Sequence, residues 1–232
     1  MNEREYEISE NIKRVRERIN NAAIRSGRSE KDITLVCVTK NFDVSDICAA
    51  ISCGITDIGE NRVQEMCEKY DAVEPSRWHL IGHLQTNKVK YIIDKADLIQ
   101  SVDSLHLLEQ IELQASKRDI VSNILLQVNT SAEATKFGAS AEELFELVEK
   151  ASAMKHVKVR GIMTIAPLYV SGVSNTLHFD NTRKLYLDII KNKYDNINME
   201  YLSMGMSGDF EEAIMCGSNM VRVGSAIFGK RY

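Results

Sequence analysis

Residues 33–42, ITLVCVTKNF, read as a buried strand until they meet a lysine. Side chains alternate along a strand with period two, so Val36, Val38 and Lys40 share one face. Working outward, similar β-branched runs recur at 55–59 (ITDIG), 78–82 (WHLIG), 97–102 (DLIQSV), 122–129 (SNILLQVN), 157–165 (VKVRGIMTI), 199–203 (MEYLS) and 220–227 (MVRVGSAI). Helical patterns lie between them. Asp43 starts one that stops at Gly54, and Asp103 starts another carrying Leu107, Leu108 and Ile111. SAEE at 140–143 is a capping box ahead of a helix. Before the first strand, Ile8, Ile12, Val15, Ile19 and Ala22 recur at helical spacing. Eight strands alternating with helices, with no linker between them, predict an α/β fold: one (β/α)8 barrel over 1–232, with an extra amino-terminal helix in 1–30. The rival is an open doubly wound sheet, which usually has fewer strands, and no G-x-G-x-x-G follows any strand to favour it.

Composition fits a well-cored chain. Of 232 residues 44% are apolar and only 2 are proline, which excludes a disordered protein. The formal net charge is −4 and the cations are scattered, so no nucleic-acid groove or anionic membrane surface is expected. Five cysteines, at 37, 48, 53, 67 and 216, form no C-x-x-C pair and read as small core side chains in a reducing compartment. The start, MNEREYEISENIKRV, has no apolar core of a signal peptide, and no run approaches the ~18 apolar residues of a membrane span. A cytoplasmic protein is expected, and nothing asks for more than a monomer.

A barrel places its chemistry at the carboxyl ends of its strands. Lys40 stands there after the first strand, GEN (59–61) after the second, GHLQTNK (82–88) after the third and Thr164 after the sixth. An amine delivered by an apolar strand is poorly solvated, which frees a lone pair for Schiff-base formation; a snorkelling lysine or a buried ion pair would look the same. SMGMSGD (203–209) and RVGSA (222–226) place Ser207, Gly224 and Ser225 where barrels commonly hold a phosphate. Arg222 shares a strand face with Gly224, and a guanidinium inside a barrel needs an anion or acceptor, Glu60 and Asp209 being candidates. His79 and His83 are four apart, but around a strand end and with no third ligand, so zinc is disfavoured. Lysine, phosphate pocket and arginine suit either a phosphosugar or pyridoxal 5′-phosphate, and the residues alone do not separate them.

Eight ordered blocks over residues 33–229 carry a resemblance to a known family: VCVTKN, DIGENRVQE, WHLIGHLQTNK, QSVDS, QVNTSAEATKFG, GIMTI, YLSMGMSGDFEEAI and VRVGSAIFG. The chain resembles the YggS/PROSC family of pyridoxal phosphate homeostasis proteins. The resemblance implies a barrel like the amino-terminal domain of alanine racemase, with pyridoxal phosphate held as a Schiff base on Lys40. It further implies that Ser207, Gly224 and Ser225 hold the phosphate, that Arg222 faces the pyridine nitrogen, and that Asn61 and His79 lie beside the ring. Met204 joins this cofactor-binding set, and Lys136 matches a family lysine near the site. CVTKN replaces the commoner AVSKT, and 166–177 departs from the family's usual acidic loop.

A ring nitrogen facing a permanent cation stays unprotonated, and such a ring is a poor electron sink. Racemisation also needs a second acid/base opposite the lysine, and alanine racemase takes it from a further domain and a partner subunit; this sequence ends at Tyr232 without one. The expectation is a non-catalytic carrier for intracellular homeostasis of the cofactor, supplying pyridoxal-phosphate-dependent apo-enzymes. The alternative is a weak amino-acid racemase with Lys136 or a tyrosine as the second acid/base. A phosphosugar aldolase, colourless when pure, is the third reading.

Overall fold

The computed structural model describes residues 2–73, 76–130, 137–167, 174–192 and 194–229. Eight strands pair in parallel and in chain order: β1 (Thr34–Val38), β2 (Asp57–Glu60), β3 (Arg77–Leu80), β4 (Leu98–Val102), β5 (Ser122–Gln127), β6 (Val157–Met163), β7 (Ile197–Ser203) and β8 (Met220–Val223). β8 returns to β1 with Val36 beside Arg222, which closes the barrel. The helices are α1 (Glu3–Arg25), α2 (Val44–Ser52), α3 (Val63–Tyr70), α4 (Leu105–Ser116), α5 (Ala141–Ser152), α6 (Thr176–Lys191), α7 (Phe210–Met215) and α8 (Ser225–Phe228). A 3₁₀ segment at Thr86–Tyr91 takes the helical place between β3 and β4. The capping box expected at 140–143 forms: Glu143 N–H donates to Ser140 Oγ at 3.2 Å, and the Glu143 carboxylate accepts from Ser140 N at 2.7 Å. Among the described residues no helix is long and apolar enough to cross a membrane.

Period two sorts the strand residues into two apolar layers. Cys37, Leu126, Ile162 and Val221 face the helices, while their neighbours Val36, Leu125, Met163 and Met220 pack inside the barrel with Leu98 and Tyr201. Burial among apolar groups pushes the Cys37 thiol up, as suits a core side chain.

Several expected strands end early, at Leu80, Gln127 and Met163 among them, and two of these corrections bear on the site. β1 stops at Val38 rather than Lys40, although Thr39 N still donates to Gly59 O at 3.0 Å, and Asn41 then turns the chain with φ 61°. β8 stops at Val223 rather than Ile227, because Gly224 (φ −122°, ψ −71°) begins α8 and its carbonyl accepts from Ile227 and Phe228. That break turns two backbone N–H groups at the strand end toward Ser207, a contact described below.

The amino-terminal helix has a definite place in this frame. α1 buries Ile8, Ile12, Val15, Ile19, Ala22 and Ala23 and lies over α2, α7 and α8. Each buried isoleucine contributes about 2 kcal/mol as an upper figure. Arg4 donates to Phe228 O at 2.9 Å and Asn11 to Ile227 O at 2.9 Å, so α1 satisfies carbonyls that the short α8 leaves open. The helix thus buttresses the β1–β8 sector, which carries Lys40 and Arg222.

Candidate functional site

The carboxyl ends of β1, β2, β7 and β8 bring most of the sequence-predicted residues to one mouth. Val36 lies inside the barrel, and Val38 lies so near β8 that a Cβ on Gly224 would stand 3.2 Å from its Cβ. Lys40 follows two residues on, half-buried, in the turn that leaves β1. Phe42 stacks on Phe228 of α8 with ring centroids 4.4 Å apart, which ties the lysine turn to the end of α8.

A clamp holds that turn from behind. Lys69 of α3 donates to Thr39 O at 3.0 Å and to Glu60 Oε1 at 2.8 Å, and it lies 3.4 Å from Glu65 Oε2. Thr39 Oγ1 donates to the same Glu60 oxygen at 2.8 Å, and Asn41 N donates to Glu65 Oε2 at 2.7 Å. Both neighbours of Lys40 are therefore fixed by the acids of GENRVQE and by one cation. Glu60 is fully buried, and its Oε2 has no hydrogen-bond partner among the described residues. Burial raises its carboxyl above the usual range, against the opposing pull of Lys69 and Thr39.

Ser207 supplies the clearest sign of an anion pocket. Its Oγ accepts from Gly224 N at 3.2 Å and from Ala226 N at 3.3 Å, so two backbone donors and one hydroxyl meet at the opening of α8. Ser225 stands exposed between those two donors. The turn that carries Ser207 is pinned by Asp209, whose Oδ1 accepts from Met206 N at 2.7 Å and whose Oδ2 accepts from Asn175 Nδ2 at 2.9 Å. Gly205 enters the turn at φ 92°, where a Cβ would stand 2.7 Å from that of Ala213 and 2.8 Å from Phe210 Cα. Met204, fully buried, starts the segment by donating its N–H to Met220 O at 3.1 Å. The hydroxyl sits where an anion's oxygen would take the same donors, and the set fits a phosphate.

Arg222 is buried inside the barrel. It donates to Ser203 Oγ at 2.6 Å and to Thr164 O at 2.8 Å. Neither acid expected for it forms an ion pair: Glu60 belongs to Lys69, and Asp209 acts only through space. Burial lowers the guanidinium to about 10, the nearby Asp209 charge opposing, so it remains a cation at neutral pH. Its partners among the described residues are neutral oxygens, an unusual state for a buried charge.

Asn61 follows β2, half-buried, and its backbone is pressed by the loop after β3. A Cβ on Gly82 would lie 2.3 Å from Asn61 O, so only glycine permits this approach. His79, which the resemblance implies beside the ring, is tied to its neighbours through both ring nitrogens. Its Nε2 meets Asp57 Oδ1 at 3.0 Å and its Nδ1 meets Gln100 Nε2 at 2.8 Å, so both ring nitrogens are taken up inside the barrel. His83 stacks on Phe137 at 4.0 Å between centroids, and its Nδ1 lies 3.9 Å from Asp103 Oδ2. Lys136 lies outside the described residues.

Sequence reading missed Lys69, Glu65, Asp57, Gln100 and Ser203. Gln100 carried a signal: a polar side chain in the apolar run DLIQSV, at the period that faces the barrel. Lys69 carried none, since one more lysine on an amphipathic helix reads as surface.

Comparisons with known proteins agree with this fold. The family model for the amino-terminal domain of alanine racemase matches residues 7–232. A protein of Aquifex aeolicus named pyridoxal phosphate homeostasis protein is 42% identical over 224 residues, covering 96% of this chain and 97% of that one. A solved structure of an unknown protein from Bifidobacterium adolescentis matches with a TM-score of 0.91 at 34% identity, covering 98% and 97% of the two chains. PipY of Synechococcus elongatus, solved with PLP bound, matches with a TM-score of 0.79 at 30% identity, covering 96% of this chain and all of that one.

Proposed function

The chain belongs to the alanine racemase N-terminal domain family, with a pyridoxal phosphate homeostasis protein as an end-to-end relative, and from that premise we propose that it binds pyridoxal 5′-phosphate at the barrel mouth and keeps it available to apo-enzymes without turning it over. Ser207 with the N–H groups of Gly224 and Ala226, and Ser225 beside them, would hold the phosphate. Lys40 would hold the aldehyde carbon, Arg222 would stand against the pyridine nitrogen, and Asn61 and Met204 would border the ring. His79 acts behind this set through Gln100. When bound, the cofactor supplies an aldehyde that condenses reversibly with a primary amine and releases water.

The observation that carries the reading is Arg222, a buried cation with neutral partners in the same mouth as a lysine and a phosphate cradle. It leaves room for one more acceptor and excludes a second cation. Two positive charges ~4 Å apart at an effective dielectric of ~20 repel by about 4 kcal/mol, or about three pKa units. A ring nitrogen set against this guanidinium stays unprotonated, which makes the ring a poor electron sink for removing a proton from a bound amino acid. The clamp of Glu60, Glu65 and Lys69 holds the lysine turn for reversible capture. A monomer in the cytoplasm is the form in which such a carrier would work.

An absorbance spectrum of the purified chain before and after borohydride, followed by peptide mapping, tests the proposal. The expected result is a yellow chromophore that reduction fixes to Lys40, and a folded, colourless Lys40→Ala variant. A chain that takes up no cofactor on reconstitution removes the binding reading. Conversion of an L-amino acid to its D-form at kcat ~1 s⁻¹ or more, an ordinary enzyme rate, would remove the non-catalytic one.

A further inference from the structure

We propose that Gln100 is a positioning residue for the cofactor ring, setting through Ser203 how the Arg222 guanidinium is presented to it. The proposal rests on the cofactor site described above and extends it to side chains on the far wall of the barrel.

The polarity of the chain follows from one fact: arginine only donates. Ser203 Oγ therefore accepts from Arg222 at 2.6 Å, and its single proton goes to Gln100 Oε1 at 2.7 Å. A reversed amide would set a second donor against the same oxygen and leave the Ser203 proton without an acceptor. So oriented, Gln100 Nε2 points to His79 Nδ1 at 2.8 Å and to Met220 Sδ at 3.3 Å. His79 Nδ1 then accepts, so Nε2 carries the proton and donates to Asp57 Oδ1 at 3.0 Å. Asp57 Oδ2 is held in turn by Arg77 at 2.6 Å and Thr56 Oγ1 at 2.7 Å.

The chain crosses the barrel through β8, β7, β4, β3 and β2, and all five side chains are buried. It runs beside an apolar layer of Val36, Leu98, Leu125, Met163 and Met220, where an aliphatic side chain at 100 would also pack. A buried amide costs free energy unless every group on it is paired, and a fully paired network is rigid. Here the pairing leaves one hydroxyl orientation at Ser203, and hence one fixed partner for the guanidinium on that side. Thr164 O fixes the other.

The test loads the full chain with pyridoxal phosphate and compares wild type with Gln100→Leu, Gln100→Glu and Ser203→Ala. It reads the chromophore's absorbance maximum, the pH profile of that absorbance, the rate of cofactor release to an excess of apo-enzyme, and Tm. Gln100→Leu and Ser203→Ala are expected to shift the spectrum and its pH profile and to speed release about fivefold to tenfold, as loss of one ordinary hydrogen bond implies. Gln100→Glu keeps the acceptor for Ser203, with one proton held between its second oxygen and His79 Nδ1, and is expected to stay within about twofold of wild type. If Gln100→Leu lowers only Tm and leaves spectrum and release unchanged, the proposal fails. Equal shifts in Gln100→Leu and Gln100→Glu also overturn it, because they point to packing rather than to the acceptor. Should Gln100→Leu not fold, Ser203→Ala decides by the same readouts. A wild-type chain that takes up no cofactor overturns the functional reading and this inference with it, whereas a loading wild type with indifferent variants overturns this inference alone.

Discussion

Replacing Lys69 with methionine removes one ammonium group and keeps most of the aliphatic stem. The group lost is the donor to Thr39 O and to Glu60 Oε1, and Glu60 is fully buried. Breaking a buried pair by deleting one partner costs about 3–5 kcal/mol, because the remaining charge has no compensation. Glu60 has one escape, which is to take up a proton. Burial already raises its carboxyl, and losing Lys69 removes two of the influences that lower it. The escape costs about 1.4 kcal/mol per pH unit above the ordinary glutamate value of about 4.3, so about 4 kcal/mol at pH 7. A carboxyl raised in the folded state leaves stability intact below its unfolded value and loses it as pH rises toward the folded one. The deficit of Lys69→Met relative to wild type is therefore small near pH 4.5 and grows to at most about 3–4 kcal/mol at pH 7, because the wild-type carboxyl is itself raised. At this chain length that corresponds to a Tm lower by about 6–16 °C. Thermal melts followed by circular dichroism at several pH values measure it. The Lys69→Met/Glu60→Gln double variant keeps an acceptor for Thr39 without the charge, and should recover about 2 kcal/mol and flatten the pH dependence. A Tm loss that does not vary with pH, or a double variant worse than Lys69→Met, would refute the reasoning.

Three further outcomes follow from the geometry. Ser207→Ala leaves the N–H groups of Gly224 and Ala226 without their acceptor and removes a hydroxyl from the phosphate set; cofactor affinity in a fluorescence titration should fall about tenfold, and an unchanged Kd would count against the cradle. Gly82→Ala drives a Cβ to 2.3 Å from Asn61 O, so one loop must move; urea unfolding should report a loss of about 1–3 kcal/mol. Asp57 is penalised by burial, yet hydrogen bonds from His79, Thr56 and Arg77 outweigh that and hold its carboxyl below the usual range. Its contribution is present above the unfolded carboxyl value and is lost as pH falls through the depressed folded one. Asp57→Asn should accordingly cost about 1.5–3 kcal/mol at pH 7, and the gap to wild type should close toward pH 3 in the same unfolding assay.

Much of the frame was legible because it is written in local periods. Val36 in and Cys37 out, Leu125 in and Leu126 out, are consequences of alternation that any eight-strand reading would contain. The capping box at Ser140 is equally local, with donor and acceptor three residues apart. Lys40 and the small residues of SMGMSGD and RVGSA could be placed at strand ends by the same counting.

What only the closed barrel decided are the partners. Ser203 and Gln100 are 103 residues apart, Arg222 and Thr164 58 apart, and Lys69 and Thr39 30 apart, so no spacing in the sequence links them. Even the end of β8 belongs to this class: the run MVRVGSAI continues as a strand by propensity, and it breaks at Gly224 where Ser207, 17 residues earlier, takes the N–H. The sequence by itself determined which residues face inward and which stand at the rim, because a side chain's direction is set by its own backbone. Strand register and barrel closure then decided that Arg222 has no acid partner among the described residues, that both ring nitrogens of His79 are engaged, and that Lys40 stands on a clamped turn, because a charge takes its character from the groups that folding brings within hydrogen-bonding distance.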